Sequence, residues 1–136
     1  MANPNEISLF VDPVHAGFPS PAADDIERKL DLNDYLIEHP SATFFVRVQG
    51  DSMIGAGIHE GDILIVDRAL TPGDGKVVIA VVNGEFTVKR LLLKDGRKIL
   101  MPENPRFTPI KIEEGSDCQI WGVVTYAIHK LCTHRL

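Results

Sequence analysis

The stretch that decides the fold is KVVIAVVNGEFTVKRLLL, residues 76–93. Two apolar runs rich in β-branched residues flank the pair Asn83-Gly84, which favours the two-residue type I′ turn of a β-hairpin. A two-residue turn also fixes which residues of the two strands lie opposite each other. The predicted cross-strand pairs are Val82 with Glu85, Ala80 with Thr87, and Val78 with Lys89.

Other strands are predicted on both sides of this hairpin: TFFVRVQ (43–49), DILIVD (62–67), RKILM (97–101) and QIWGVVTYAIHK (119–130). In the first, Phe44, Val46 and Val48 share one face, and Arg47 and Gln49 share the other. DILIVD is continuously apolar, as expected of a strand buried on both faces. The segment PENPRFTP is predicted to be a loop or an edge, and a turn at Asp95-Gly96 precedes RKILM.

The N-terminal part, residues 1–40, is predicted to be a flexible arm followed by short helices. Prolines at 4, 13 and 19 interrupt residues 1–19, whose apolar residues follow neither a helical nor a strand period. The start of a first helix is predicted from Ser20 as N-cap, Pro21 at the first helical position and Asp24 in or next to the first turn. Ile26 and Leu30 would lie on one face of this helix. The second is predicted from the cap Asp31, with Leu32, Tyr35 and Leu36 along one side and Pro40 as its stop. The fold class is thus mostly β, with a curled sheet over residues 41–136.

Composition limits the classes of function. The chain has 136 residues, a net charge of −5 and no basic cluster larger than Lys89-Arg90 or Arg97-Lys98, so we expect no direct DNA binding. No apolar run reaches the roughly 20 residues that span a bilayer, and the N-terminus resembles no secretory signal. We therefore expect a cytoplasmic protein without a membrane partner. The two cysteines, Cys118 and Cys132, do not form a disulfide framework.

One loop could hold a nucleophile. In QGDSMIGAGIHEGDILIVD, residues 49–67, Gly50 allows a sharp bend, Ser52 follows at its tip, and backbone N–H groups nearby can point at a ligand. The alternative is a glycine-rich loop that contains a serine because turns favour serine. The hydrolase elbow G-x-S-x-G does not fit, because Ile54 stands at its second glycine.

Lys89 is the candidate base for that serine. On the predicted register it shares a face with Val78, Ala80, Thr87 and Leu91, and apolar surroundings lower the pKa of a lysine. At its ordinary pKa a lysine is neutral only about 0.04% of the time at pH 7, so a base needs such a shift. The alternative is a side chain that reaches solvent at the sheet edge.

The histidines suggest no catalytic triad. Five are present, at positions 15, 39, 59, 129 and 134, without a recognisable triad context. His129, Cys132 and His134 have the ligand types of a zinc site, but three ligands in a C-terminal tail do not make one. We therefore expect neither a metal nor a cofactor.

Several blocks together resemble a known family: Gly50-Asp51-Ser52-Met53, Ile58, Gly61-Asp62, Val66 and residues 85–90. In this order and spacing they are similar to the LexA/UmuD-type self-cleaving serine peptidases, the S24 family, over nearly the whole chain. Residues 17–24, 39–43 and 84–89 resemble the UmuD-type mutagenesis proteins in particular.

The resemblance implies a chemistry. Ser52 would be the nucleophile, and Lys89, held neutral, the general base. The substrate would be the protein's own arm, cut at Ala16-Gly17, with the backbone N–H groups of Ser52 and Asp51 as oxyanion hole.

The resemblance also implies partners. Cleavage would be stimulated by the filament of RecA on single-stranded DNA in the SOS response. The trimmed homodimer would serve a UmuC-like, error-prone Y-family DNA polymerase in translesion synthesis. Because 16 residues precede Gly17, too few for a helix-turn-helix, we do not expect a repressor. Two alternatives are a signal-peptidase-like enzyme, which would want a membrane anchor, and a non-catalytic interaction subunit of a repair complex.

Overall fold

The computed structural model of the protein describes residues 3–10, 14, 16–17 and 27–132. The chain divides into two compact units, residues 1–38 and residues 39–136. The described elements of the first unit are β1 (Glu6–Phe10), β2 (Glu27–Asp31) and helix α1 (Leu32–Leu36). Those of the second are β3 (Thr43–Arg47), β4 (Ile63–Asp67), β5 (Val77–Val82), β6 (Glu85–Lys94), β7 (Arg97–Met101), β8 (Ile110–Ile112) and β9 (Cys118–Ile128), with 3₁₀ turns at Pro40–Ala42 and Ile54–Ala56.

The N-terminal unit differs from the prediction. Strands β1 and β2 pair antiparallel, with Phe10 opposite Glu27. The prediction of an arm without regular structure is therefore wrong over β1, and the prediction of a helix that includes Leu30 is wrong over β2. Backbone pairing rather than apolar burial joins the two strands, because Ile7 and Phe10 remain 69% and 68% exposed. The spacing of apolar residues therefore does not indicate these two strands. The cap predicted at Ser20 and the first turns of that helix, residues 20–26, lie outside the described residues.

The second predicted helix is confirmed as α1, but it ends at Leu36, and Pro40 begins a separate 3₁₀ turn instead of stopping it. The Asp31 carboxylate accepts a hydrogen bond from the Asn33 N–H at 2.9 Å, which satisfies one of the free amides at the helix start. None of the described helices is long and apolar enough to cross a membrane.

Ala16 and Gly17 lie in the connection between β1 and β2. Both are exposed, and a Cβ built on Gly17 would meet nothing within 4 Å. The peptide bond between them is therefore accessible within its own unit.

The second unit contains a seven-stranded sheet in the order β3-β4-β9-β5-β6-β7-β8. The mostly β fold class is confirmed, and so is the register of the central hairpin, in which Val78 lies opposite Lys89. Asn83 and Gly84 have φ values of 51° and 80°, as a type I′ turn requires. The turn at Asp95-Gly96 is confirmed as well, because β6 and β7 pair antiparallel across it.

The core of this unit lies on both faces of the sheet. Along β5, Ile79 belongs to one buried cluster, whereas Val78 and Ala80 belong to the other. Val46 of β3 and Val88 of β6 pack against the same cluster as Ile79, although three strands separate them in the sheet. The sheet is therefore curled, as predicted, and its curl brings β3 towards β6.

Candidate active site

The loop that carries Ser52 connects β3 to β4. Gly50 and Gly57 have φ values of 86° and 80°, a region that side chains other than glycine rarely adopt. Met53, next to Ser52, is only 1% exposed and anchors the loop in the core. Ser52 itself is half-buried.

The structure brings Ser52 and Lys89 together. Lys89 Nζ lies 3.1 Å from Ser52 Oγ, although 37 residues separate them in sequence. Lys89 is 8% exposed, so the alternative in which its side chain reaches solvent is wrong. The hairpin places Lys89 by its register, and the anchored loop places Ser52.

The partners of the Lys89 amine are compatible with its neutral form as well as with its charged form. Besides Ser52 Oγ, Nζ contacts Thr87 Oγ1 at 2.7 Å and the Val88 carbonyl oxygen at 3.0 Å. A carbonyl oxygen can only accept, and the threonine hydroxyl can accept as well. The charged form can donate to all three oxygens, whereas the neutral form donates to two of them and leaves its lone pair for the Ser52 hydroxyl.

Burial favours this neutral form. Desolvation lowers the pKa of Lys89 below its usual value of 10.5. Because no carboxylate forms a salt bridge with Lys89 among the described residues, no ion pair offsets the loss of hydration. The site thus places a serine hydroxyl beside a lysine amine whose pKa is lowered by burial.

Glu103 and Asn104, which the sequence did not mark as functional, hold the loop that carries Ser52 in place. The Glu103 N–H donates to the Ser52 carbonyl, and the Gly55 N–H donates to the Glu103 carbonyl, both at 2.8 Å. The buried Asn104 donates from its side chain to the Asp51 carbonyl at 3.0 Å. The segment PENPRFTP was predicted to be a loop or an edge, and only its proximity to the serine loop reveals this role.

Close packing completes the attachment. A Cβ on Gly55 would lie 2.6 Å from the Glu103 carbonyl oxygen, so only glycine allows the two backbones to approach this closely. The Glu103 side chain in turn forms a salt bridge with Arg90 of β6. The serine loop is therefore fixed to the strand that carries Lys89.

The predicted oxyanion hole has donors to offer. Within the described part of the chain, the backbone N–H groups of Asp51 and Ser52 donate to no protein group. They remain available for a ligand oxygen, while the carbonyls of the same residues are occupied by Asn104 and Glu103.

A cleft of about 210 Å³ opens beside Ser52, between β3 and the first half of β6. Its lining is Val46, Arg47, Val48, Gln49, Ser52, Leu64, Ile79, Phe86, Thr87 and Val88. Among the described strands, residues 85–89 of β6 pair with β5 alone, because the pairing with β7 begins at Arg90. The lining is mixed, with apolar side chains beside the polar residues Arg47, Gln49, Ser52 and Thr87.

Two of the described histidines form side-chain hydrogen bonds with aspartates. His39 Nδ1 lies 2.7 Å from Asp67 Oδ2, and His129 Nδ1 lies 2.6 Å from Asp62 Oδ1. Cys132 is exposed, and His134 lies outside the described residues.

Comparisons with known proteins identify the family to which this fold belongs. A family model described as peptidase S24-like matches residues 8–125. Protein SamA of Salmonella typhimurium is 55% identical over 122 residues, which cover 90% of this chain and 84% of SamA. Protein ImpA of Escherichia coli is 52% identical over 124 residues, covering 90% of this chain and 83% of ImpA.

Protein MucA of Escherichia coli is 45% identical over 131 residues, covering 94% of this chain and 89% of MucA. The fold and the matched family define the class as a serine-peptidase-type domain. The chain belongs to the peptidase S24-like family, in its UmuD-type branch.

Replacing Lys89 by methionine is expected to stabilise the fold at neutral pH. Because the folded-state pKa is lowered, burying the charged amine opposes folding below that pKa, and the penalty disappears as pH rises to about 10.4, where the unfolded chain also loses the proton. Lys89→Met should raise the free energy of unfolding at pH 7 by about 1 kcal/mol, and the gain should shrink towards pH 10.4.

Urea unfolding from pH 7 to pH 10.5 measures this difference. The exposed Lys94→Met is the matched control and should show no such pH-dependent gain. A Lys89→Met protein that is less stable than the wild type at every pH would contradict the burial argument.

Proposed function

We propose that the protein is a self-cleaving serine peptidase that cuts its own chain between Ala16 and Gly17. Ser52 is the nucleophile, and Lys89 is the general base. The observation that carries the proposal is the 3.1 Å contact between Lys89 Nζ and Ser52 Oγ in a site where burial lowers the pKa of the amine. The exposure of the Ala16-Gly17 bond supports the choice of substrate.

The chemistry follows from these groups. The lone pair of Lys89 Nζ takes the Ser52 proton while Oγ attacks the Ala16 carbonyl carbon, and the backbone N–H groups of Asp51 and Ser52 stabilise the oxyanion. Lys89 then gives the proton to the departing Gly17 amine. Water hydrolyses the acyl enzyme and regenerates both side chains.

The substrate's attachment to the enzyme replaces a deep specificity pocket. A tethered bond reaches the nucleophile at high effective concentration, so a shallow cleft suffices. The cleft beside Ser52 has room for a small residue such as Ala16 before the cut.

We further propose, from the family, that cleavage belongs to the SOS response and is stimulated by RecA on single-stranded DNA. The product, Gly17 to Leu136, forms a homodimer that joins a UmuC-like, error-prone Y-family polymerase. Membership of the UmuD-type branch supports this assignment. The net charge of −5 also favours protein partners over direct binding to DNA.

The test of cleavage is mass spectrometry of the purified chain, incubated at pH 10 and, separately, with an activated RecA filament. Wild type should yield fragments that end at Ala16 and begin at Gly17. Ser52→Ala and Lys89→Met should each lower the rate at least about 10³-fold, because each removes one half of the dyad.

The matched controls are Ser41→Ala and Lys94→Met, which replace the same residue types at exposed positions and should cleave normally. Processing of Ser52→Ala at the wild-type rate would exclude the dyad. An intact wild-type chain under both conditions would favour the non-catalytic interaction subunit.

The attachment of the serine loop to Glu103 generates a separate prediction. Gly55→Ala should slow cleavage about 10–100-fold while the fold persists, because the new methyl collides with the Glu103 carbonyl and displaces Ser52 from Lys89. The rate of fragment formation and the circular dichroism spectrum measure the two effects.

Gly57→Ala is the matched control in the same loop. Its positive φ makes alanine unfavourable by about 1 kcal/mol, but a Cβ there meets nothing within 4 Å. If both variants slow cleavage equally, general weakening of the loop explains the loss, and the contact with Glu103 does not position Ser52.

A further inference from the structure

His59, Asp62 and His129 form a second cluster of polar side chains in the C-terminal unit. Each offers one ligand atom, and these atoms all lie within 4.8 Å of one another. The first two residues stand at the end of the serine loop, just before β4, and His129 directly follows β9. No local pattern groups these residues, because 67 residues separate Asp62 from His129.

Asp62 is the fixed member of the cluster. It is 2% exposed, and its Oδ2 accepts the His59 backbone N–H at 2.8 Å. Its Oδ1 lies 2.6 Å from His129 Nδ1, which must donate because a carboxylate only accepts. Burial would raise the pKa of Asp62, but these hydrogen bonds more than offset it and hold that pKa below its usual range.

His59 has a ring nitrogen with no partner. Its Nδ1 is buried and makes no hydrogen bond within the described residues, although the side chain as a whole is 42% exposed. This atom points towards the cluster, 3.7 Å from Asp62 Oδ2. Buried polar atoms are normally satisfied, so an unpaired nitrogen beside a carboxylate and a second imidazole indicates a ligand.

We propose that His59, Asp62 and His129 bind a zinc ion through His59 Nδ1, Asp62 Oδ1 and His129 Nδ1. Two imidazoles and one carboxylate are ligands that zinc accepts, and solvent can supply the fourth. Zinc–ligand bonds of about 2.0–2.2 Å separate tetrahedral ligands by about 3.3 Å, so small rotations of the two histidines complete the site.

The two rings are able to make these rotations. They lie side by side with centroids 4.4 Å apart, and their side chains are 42% and 40% exposed. On binding, His129 Nδ1 gives up its hydrogen bond to Asp62, and its proton moves to Nε2 or to solvent. The ion then links the end of the serine loop to the end of β9.

The consequence is a zinc-dependent increase in stability that does not require cleavage, so the proposal stands apart from the proposed function. Ser52→Ala protein, freed of metal by a chelator, keeps the chain intact during the measurement. Isothermal titration with zinc should give one site per chain, and zinc should raise the midpoint of thermal unfolding.

Two variants and two controls locate the site. His59→Ala and His129→Ala should each weaken zinc binding by at least about 10-fold and abolish the thermal shift. His39→Ala is the matched control, because His39 also contacts a buried aspartate, Asp67, at 2.7 Å. A double variant, Cys132→Ser with His134→Ala, removes the ligands of the C-terminal tail, and both controls should bind as the parent does.

Three outcomes would overturn the proposal. The first is the absence of stoichiometric zinc binding. The second is zinc binding that is unchanged in His59→Ala or in His129→Ala. The third is zinc binding that is lost in the Cys132→Ser, His134→Ala variant and in no other. If His129→Ala fails to fold, His59→Ala decides alone, since His59 Nδ1 makes no hydrogen bond that the substitution could break.

Discussion

The candidate site depends on one buried amine. The Lys89 amine contacts the Thr87 hydroxyl, the Val88 carbonyl oxygen and the Ser52 hydroxyl. No carboxylate among the described residues forms a salt bridge that would offset its charge. Such an environment destabilises the protonated form, which is why the same placement opposes folding and favours proton transfer. The surrounding structure compensates by burying apolar residues on both faces of the hairpin that carries it.

The serine loop must then be held against this amine, and its supports come from distant parts of the chain. The buried side chain of Met53 anchors the loop in the core. The backbone of Glu103 forms hydrogen bonds with the loop at Ser52 and at Gly55. Its far end is tied by Asp62 to His129 beyond β9. A loop fixed at three points needs little rearrangement before Ser52 Oγ can attack, provided that the substrate is delivered to it.

The sequence predicts the parts of the site that local rules control. Asn83-Gly84 sets the register that places Lys89, and the glycines around Ser52 mark its loop. Contacts between segments far apart escape such rules, so neither the role of Glu103 nor the cluster of His59 with His129 was predicted. The pairing of β1 with β2 was missed for a related reason, because its apolar residues stay exposed and leave no burial pattern. Family resemblance, rather than periodicity, supplied the cleavage bond.

The measurement that tests the central claim most directly is the pH dependence of self-cleavage in the wild-type protein, compared with the pKa of the Lys89 amine from ¹⁵N NMR of the intact Ser52→Ala chain. If Lys89 is the general base, the cleavage rate rises with pH and reaches a plateau. The midpoint of that rise lies below 10.5 and near the pKa of the Lys89 amine measured by NMR, apart from the effect of the missing Ser52 hydroxyl on that pKa. A rate that climbs through pH 10.5 without a plateau, or an amine that titrates at its ordinary value, would contradict the account.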